Sequence, residues 1–316
     1  MIEYRTFHNS DPPRLVALWD AAGLGRGAAS GFLCDAWDFL VGSQPYFDPR
    51  GLILACEDAE VVGFVHAGFG IRGDQTALDT EAGVVCAIIV HPSRRRRGIG
   101  RELVRQAETY LRDRGARQLY AGESARRNPF YLGLYGGSQA AGFLESDSAA
   151  APFFAALGYQ SAEQTLVLQR PLAGPRDPSD FRLQAVRRKT EVSANDQPER
   201  PNWWWLTHWG RFDTVHFVLR PKGGGANLAE MTIWGMDLYS QSSGVRTVGL
   251  EGLSVVASEQ RKGHATVLLV DSFKRLCQER VERVEVHAQA GDQPLVGFLK
   301  KLSFEQVDTG VVYART

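Results

Sequence analysis

The feature that most constrains this 316-residue chain is that it answers itself. Ala87-Ile-Ile-Val-His-Pro-Ser-Arg-Arg-Arg-Arg-Gly-Ile-Gly100 is matched by Gly252-Leu-Ser-Val-Val-Ala-Ser-Glu-Gln-Arg-Lys-Gly-His-Ala265. Pairing Gly98 with Gly263 sets an offset of 165 residues (263 − 98), at which Val90 faces Val255, Arg95 faces Gln260 and Leu119 faces Val284. Farther on, FFAALGY (153–159) resembles FLKKLSF (298–304) at an offset of 145 (304 − 159). The first copy therefore carries about 20 extra residues, which fall in the stretch 126–147. A repeat of this length requires two domains of ordinary size. The Pro-, Gly- and Asp-rich segment RPLAGPRDPSD (170–180) reads as their linker, with domains over 1–172 and 178–316.

Each copy reads as a mixed α/β unit. In the first, IEYRTF is expected as a strand, PPRLVALWDAA as a helix opened by proline, and GFLCDAWDFLV as a second helix. LILACE and VVGFVHAGF form a hairpin, VVCAIIV is a buried strand, and Ile99, Leu103, Ala107 and Leu111 mark one face of a helix ending near Gly115. The second copy repeats this with strands in DTVHFVLRP, LAEMTIWGMDL and TVGLEGLSVV, then a helix through Leu269, Phe273 and Leu276. Its front is different. Between Arg188 and Trp203 little suggests two full helices, and the cluster Trp203, Trp204, Trp205 and Trp209 is expected at the seam between the copies.

Composition excludes several classes. Lys+Arg and Asp+Glu are equal at 36, so no basic excess draws the chain to nucleic acid. No apolar run approaches the ~18 residues of a membrane span, and the N-terminus has no leader pattern. The cysteines at 34, 56, 86 and 277 are scattered, with no spacing suited to metal. A soluble cytoplasmic protein with reduced thiols and no metal is expected, and an oligomer is possible.

The repeated loop carries the chemistry. Arg95-Arg-Arg-Gly-Ile-Gly100 joins a hydrophobic strand to a helix, where the first helical amides lack partners and point outward as an anion site. Glycine lets the backbone approach a pyrophosphate, and the arginines add positive charge. Gln260-Arg-Lys-Gly-His-Ala265 repeats the arrangement, with Ala as the smallest replacement for the second Gly.

A strand, then (Gln/Arg)-x-x-Gly-x-(Gly/Ala), then a helix, closely resembles the acyl-CoA motif of the GNAT superfamily of N-acetyltransferases. Both copies match it across most of 1–170 and about 205–316. The resemblance implies two tandem GNAT folds, each built on an α/β mixed sheet, and acetyl-CoA or another acyl-CoA as co-substrate. It implies pyrophosphate binding by Arg95, Arg96, Arg97, Gly98, Ile99, Gly100 and Arg101, and by Gln260, Arg261, Lys262, Gly263, His264 and Ala265. Pantetheine would pair with Ile88, Ile89 and Val90, or with Leu253, Ser254 and Val255.

The resemblance also implies a base and an acid that this chain does not supply in the usual places. Where the family often has its Glu stand Val84 and Gly249, and where it has a Tyr stand Phe154 and Leu299. Strand alternation offers Glu251 as a substitute base on the same face as Gly249. Glu81, His66 and His216 are lesser candidates. Tyr131 or Tyr135 of the extra segment could protonate the leaving thiolate. The expected activity is acetyl transfer to a primary amine of a small molecule. Acylation of a protein N-terminus or lysine, and a non-catalytic acyl-CoA sensor or scaffold, stay open as alternatives, as does which copy works.

Overall fold

The computed structural model describes residues 1–196, 198 and 201–315. The chain divides into two compact units, residues 1–166 with 308–316 and residues 167–307. In order, the elements of the first copy are β1 (Ile2–Thr6), α1 (Pro12–Ala22), α2 (Cys34–Trp37), β2 (Leu52–Glu57), β3 (Glu60–Ile71), β4 (Leu78–Val90), α3 (Ile99–Asp113), β5 (Gln118–Ala121), β6 (Phe143–Leu144), α4 (Ala150–Ala156) and β7 (Gln160–Pro171). Those of the second are α5 (Phe181–Lys189), β8 (Thr190–Asn195), α6 (Trp203–His208), β9 (Thr214–Pro221), β10 (Ala229–Gly235), α7 (Ser240–Ser243), β11 (Thr247–Val255), α8 (His264–Gln278), β12 (Arg283–Gln289), α9 (Gln293–Lys301) and β13 (Glu305–Arg315).

The first unit is ordered β1-β2-β3-β4-β5-β13 and the second β7-β12-β11-β10-β9-β8. The closing strands are exchanged. Tyr313 and Arg315 of β13 pair antiparallel with Ala121 and Leu119 of β5, while the end of β7 lies beside β12. Local sequence dictates that both segments are strands but not which neighbour each joins.

In each unit a parallel pair sits among antiparallel neighbours. β4 and β5 are in register only from Ala82↔Gln118 to Val85↔Ala121, and β11 and β12 only from Thr247↔Arg283 to Leu250↔Val286. Beyond those points the strands part, and the backbone groups of Cys86–Val90 have no β5 partner. A bulge against β3 falls at the same place, between the pairs His66↔Ala87 and Ala67↔Val85. The apolar stripe of α3, namely Ile99, Leu103, Ala107 and Leu111, packs on Val65, Val85, Leu119 and Ala121 in the core of the first unit.

The hairpin closes through Asp58 and Ala59, both at positive φ, the geometry of a two-residue turn. The expected second helix over 31–41 is only one turn of α-helix, and it continues as a π-turn over Asp38–Gly42. In the second copy α5 was not foreseen. Between α5 and β9 the described residues hold β8 and the short α6, and residues 197, 199 and 200 of the polar segment lie outside the described residues. Within the second unit Trp204 and Trp209 are buried, and Trp209 packs 5.7 Å from Trp234. Of the cysteines, Cys56 and Cys86 are buried, Cys34 is half-buried and Cys277 is exposed.

The second unit also buries a charge. Arg170 is 2% exposed, its guanidinium lies over the Phe273 ring, and its Nη2 donates to Asp177 Oδ1 at 2.5 Å. Its Nε and Nη1 have no partner among the described residues. Removing the single counter-charge leaves an uncompensated buried cation, so Asp177→Ala is expected to cost about 3 kcal/mol. Chemical denaturation measures it, and adding Arg170→Met should recover most of the loss. An Asp177→Ala midpoint equal to wild type would show that the pair contributes nothing.

Candidate functional site

The two Arg/Gly loops have the same backbone. Arg95 and Gln260 have φ/ψ of −63/160 and −64/155, and Arg96 and Arg261 both take positive φ, at 64° and 60°. Gly98 (φ 82°) and Gly263 (φ 93°) are the N-caps of α3 and α8. Arg95 Nε donates to Val90 O at 3.0 Å, and Gln260 Nε2 donates to Val255 O at 3.4 Å. These two side chains thus brace equivalent loops against equivalent strands. The requirement for left-handed backbone explains both glycines.

The surroundings differ. A Cβ on Gly98 would meet nothing within 4 Å, whereas one on Gly263 would lie 3.0 Å from Leu183 Cδ2 and 3.9 Å from Val186 Cγ2. Leu183 and Val186 belong to α5, which is N-capped by Asp180 and held to α8 by the Arg187–Asp271 ion pair. Where the first loop has Arg94, the second has Glu259, whose carboxylate lies 3.0 Å from Lys262 Nζ and 3.7 Å from His264 Nδ1. His264 is buried, and that burial lowers its pKa. The second loop is therefore covered by Leu183 and Val186 of α5, and its Lys262 is paired with Glu259.

Around the first loop, Arg94 and Arg97 converge on Glu57, whose carboxyl they hold well below the usual range. Arg96 and Arg101 are exposed and have no partner among the described residues. The amides of Gly98, Ile99 and Gly100 open a 15-residue helix whose positive end faces outward. Gly100 lets α3 sit against Phe153, whose ring carbons lie 3.1 Å from where a Cβ would be.

At the fork of β4 and β5 the first unit buries a polar cluster. Gly122 N donates to Val85 O at 2.9 Å, and the next residue, Glu123, turns into the protein at 5% exposure. Its Oε1 accepts from Phe130 N and its Oε2 from Tyr131 N, each at 2.9 Å. The Cys86 thiol is also hydrogen-bonded to it. Burial pushes the Glu123 carboxyl up to about 7, against the lowering effect of these three donors. Burial and the facing Glu123 raise Cys86 well above its ordinary value.

Tyr131 Oη and His66 Nδ1 share a hydrogen bond of 3.2 Å, and burial lowers His66 to about 3, so it is neutral at physiological pH. Phe130 stacks on His66 at 4.0 Å and Trp19 on Tyr131 at 5.8 Å. The extra segment is tied to the chain after α1 by Ala29 N→Leu134 O and Gly136 N→Gly27 O, both 2.8 Å. It thereby closes the aromatic side of the fork.

The structure thus brings Tyr131 into the cluster. Tyr135 is half-buried, and its Oη accepts from Leu144 N at 3.2 Å. Burial raises both phenols, so both stay protonated. Val84, Phe154 and Leu299 are core residues. In the second unit, Glu251 is half-buried on β11 opposite Thr232, which also bonds His216 Nδ1 at 3.1 Å. Gly249 lies opposite Glu285, a buried carboxylate whose Oε2 accepts from Gln169 Nε2 at 2.6 Å. Glu81 is exposed. No group of His, Cys, Asp and Glu among the described residues could hold a metal, and no helix among them is long and apolar enough to cross a membrane. Sequence reasoning missed Glu123. The available signal was a carboxylate placed between the end of a strand and the aromatic run Phe130-Tyr131.

Residues 28–136 match the model of the Acetyltransferase (GNAT) family. A tandem GNAT protein from the clavulanic acid biosynthesis pathway superposes with a TM-score of 0.68 at 18% identity, covering 100% of this chain and 98% of that one. Residues 28–136 therefore carry a GNAT-family domain, and the chain as a whole has the fold of a tandem GNAT protein. A GCN5-related glucosamine N-acetyltransferase region of a fungal multi-domain β-N-acetylglucosaminidase gives a TM-score of 0.73 at 16% identity, over 100% of this chain and 38% of that one. A GCN5-related N-acetyltransferase from Sphaerobacter thermophilus gives 0.62 at 15% identity, over 99% and 95%. At these identities the likeness concerns the GNAT fold. In sequence, a mycothiol acetyltransferase from Cellulomonas flavigena is 36% identical over 84 residues, 25% of this chain and 24% of that relative. The match spans about a quarter of that relative's length. The tandem GNAT architecture, read from the repeats, resembles mycothiol synthase.

Proposed function

We propose that this chain is an acetyl-CoA-dependent N-acetyltransferase, that its working site is the fork of the first unit, and that its acceptor is a primary amine of a small molecule. The observation that carries the proposal is the contrast between two loops of equal backbone, one open and arginine-rich, the other covered by Leu183. The pyrophosphate would sit on the amides of Gly98–Arg101 with Arg96 and Arg101 beside it. Pantetheine would pair along Ile88–Val90, where β4 has no β5 partner, which brings the thioester to the fork at Cys86. Strand amides there polarise the carbonyl as its oxygen gains charge. Tyr131 and Tyr135, both neutral hydroxyls, are the donors available to the leaving thiolate.

The closed aromatic side of the fork favours a small acceptor over a polypeptide, as do the small-molecule acetyltransferases among the similar proteins. The balanced charge and scattered cysteines support a cytoplasmic site of action. The core residues at the family's usual base and acid positions favour a second reading, a non-catalytic acyl-CoA binder.

Thiol release from acetyl-CoA, assayed against glucosamine, spermidine, kanamycin and a lysine-containing peptide, tests both. Turnover with a small amine and none with the peptide is expected. Tight acetyl-CoA binding with no turnover on any amine would instead support the binder.

A further inference from the structure

We propose that the Glu123 carboxylate takes the proton from the acceptor ammonium in the first unit. The inference rests on the acetyltransferase reading above and names a group for the step that reading leaves unassigned. Position is the first argument. The paired stretch of β4 and β5 ends at Val85↔Ala121, so Glu123 and Cys86 flank the point at which the strands separate. Pantetheine running along Ile88–Val90 delivers its thioester to that same point.

The second argument is chemical. An ammonium cannot attack until it loses a proton, and a base works best when its pKa lies near the working pH. Glu123 is buried and raised to about 7, in the useful range. Its two oxygens accept from Phe130 N, Tyr131 N and the Cys86 thiol, which still leaves a lone pair open for the incoming proton. The groups facing it are the Cys86 thiol from β4 and Tyr131 from the extra segment, which in turn contacts His66 from β3. His66 is neutral and both other groups are held protonated, so none competes for the proton.

The step balances. R–NH3+ gives one proton to Glu123, and the freed nitrogen lone pair forms the N–C bond to the acetyl carbon. The C–S bond then breaks with its electrons on sulfur, and the thiolate takes a proton from the Tyr131 or Tyr135 hydroxyl, which the second proton lost by nitrogen replaces. Amide, free coenzyme A and protonated Glu123 result, and Glu123 returns its proton to solvent.

A purely structural Glu123, anchoring Phe130 and Tyr131, makes different predictions. With the best amine of the panel and saturating acetyl-CoA, wild-type kcat/KM for the amine should show a limb near pH 7. Glu123→Gln should lose about 100-fold or more at pH 7. It should lack that limb, and regain rate toward high pH as the amine deprotonates unaided. Its acetyl-CoA affinity should stay within about twofold, and Glu123→Asp should restore the limb. A Glu123→Gln enzyme that keeps the limb, or loses rate equally at every pH, overturns the inference.

A readout independent of activity is carbon-13 titration of the glutamate carboxyls. In wild type, one midpoint absent from Glu123→Gln should lie near 7, and Cys86→Ala should raise it, because the thiol stabilises the carboxylate. A Glu123 midpoint in the ordinary glutamate range also overturns it. A wild type that turns over no amine would fail the activity itself, and is distinguished because no limb then exists to compare.

Discussion

Gly98→Asp is expected to weaken acetyl-CoA binding by roughly 100-fold or more, and Lys262→Glu to leave it within about twofold. Aspartate tolerates the left-handed region and is a preferred N-cap, so α3 should survive the substitution. What changes is the charge at the mouth of the loop. A carboxylate ~5 Å from a phosphate, at an effective dielectric of ~20, adds about 3 kcal/mol of repulsion. Apart from its two chain neighbours nothing lies within 4 Å of the Gly98 Cβ position, so the new side chain fits without displacing its surroundings, and any arginine it attracts is withdrawn from the phosphate. In the second loop, Lys262 is already paired with Glu259 and α5 lies over Gly263. Calorimetric titration should count one equivalent of acetyl-CoA on wild type and none on Gly98→Asp. Two equivalents on wild type, or one lost in Lys262→Glu, would place a working loop in the second unit.

The second large effect is on acid stability, and its sign comes from two opposed groups. The folded pKa of His66 is depressed from 6.5 to about 3. Unfolding therefore gains a proton below 6.5, and stability is lost progressively as pH falls toward 3. Glu123 is raised from 4.5 to about 7. Its contribution is fully present below 4.5 and is lost as pH rises through 7. At ~1.4 kcal/mol per unit, the His66 loss is on the order of 3–5 kcal/mol and the Glu123 gain about 3 kcal/mol.

Between pH 6.5 and 4.5 the two nearly cancel; below 4.5 only His66 keeps acting. Relative to wild type, His66→Gln should therefore gain stability as pH is lowered through this range, most clearly below 4.5. Relative to wild type, Glu123→Gln should lose stability as pH falls from about 7 to 4.5 and change no further below that. Denaturant midpoints taken from pH 8 to 3.5 measure both, and differences from wild type remove the common effect of carboxylates such as Asp11 and Asp48, whose pKa values are lowered. Parallel pH curves for all three proteins would refute the pairing of these groups.

The loops, the repeat and the strand–helix order were legible because each is written in local chemistry. Gly98 and Gly263 hold backbone that few residues adopt, and the stripe Ile99–Leu103–Ala107–Leu111 has the helical period. What was not legible depends on burial. Glu123 in GESARRNPF reads as one more charge in a polar loop until Phe130 and Tyr131 fold over it. Glu251, chosen for strand alternation, stands on the expected face but only half-buried. α5 was hidden because FRLQAVRRK has four cations and a weak apolar stripe, and its role depends on Leu183 meeting a glycine distant in sequence.

The exchange of closing strands sets a timetable for synthesis. Residues 1–166 can emerge and collapse early, but the place beside β5 is filled by residues 308–315. At ~5–20 residues per second, the ribosome needs roughly 7–28 s to translate the intervening stretch. For that interval β5 has an open edge, the kind of surface that recruits stray strands from other chains. A nascent chain stalled before Asp308 should therefore bind chaperones, and a chain cut in the 172–178 segment should aggregate rather than yield a free first unit.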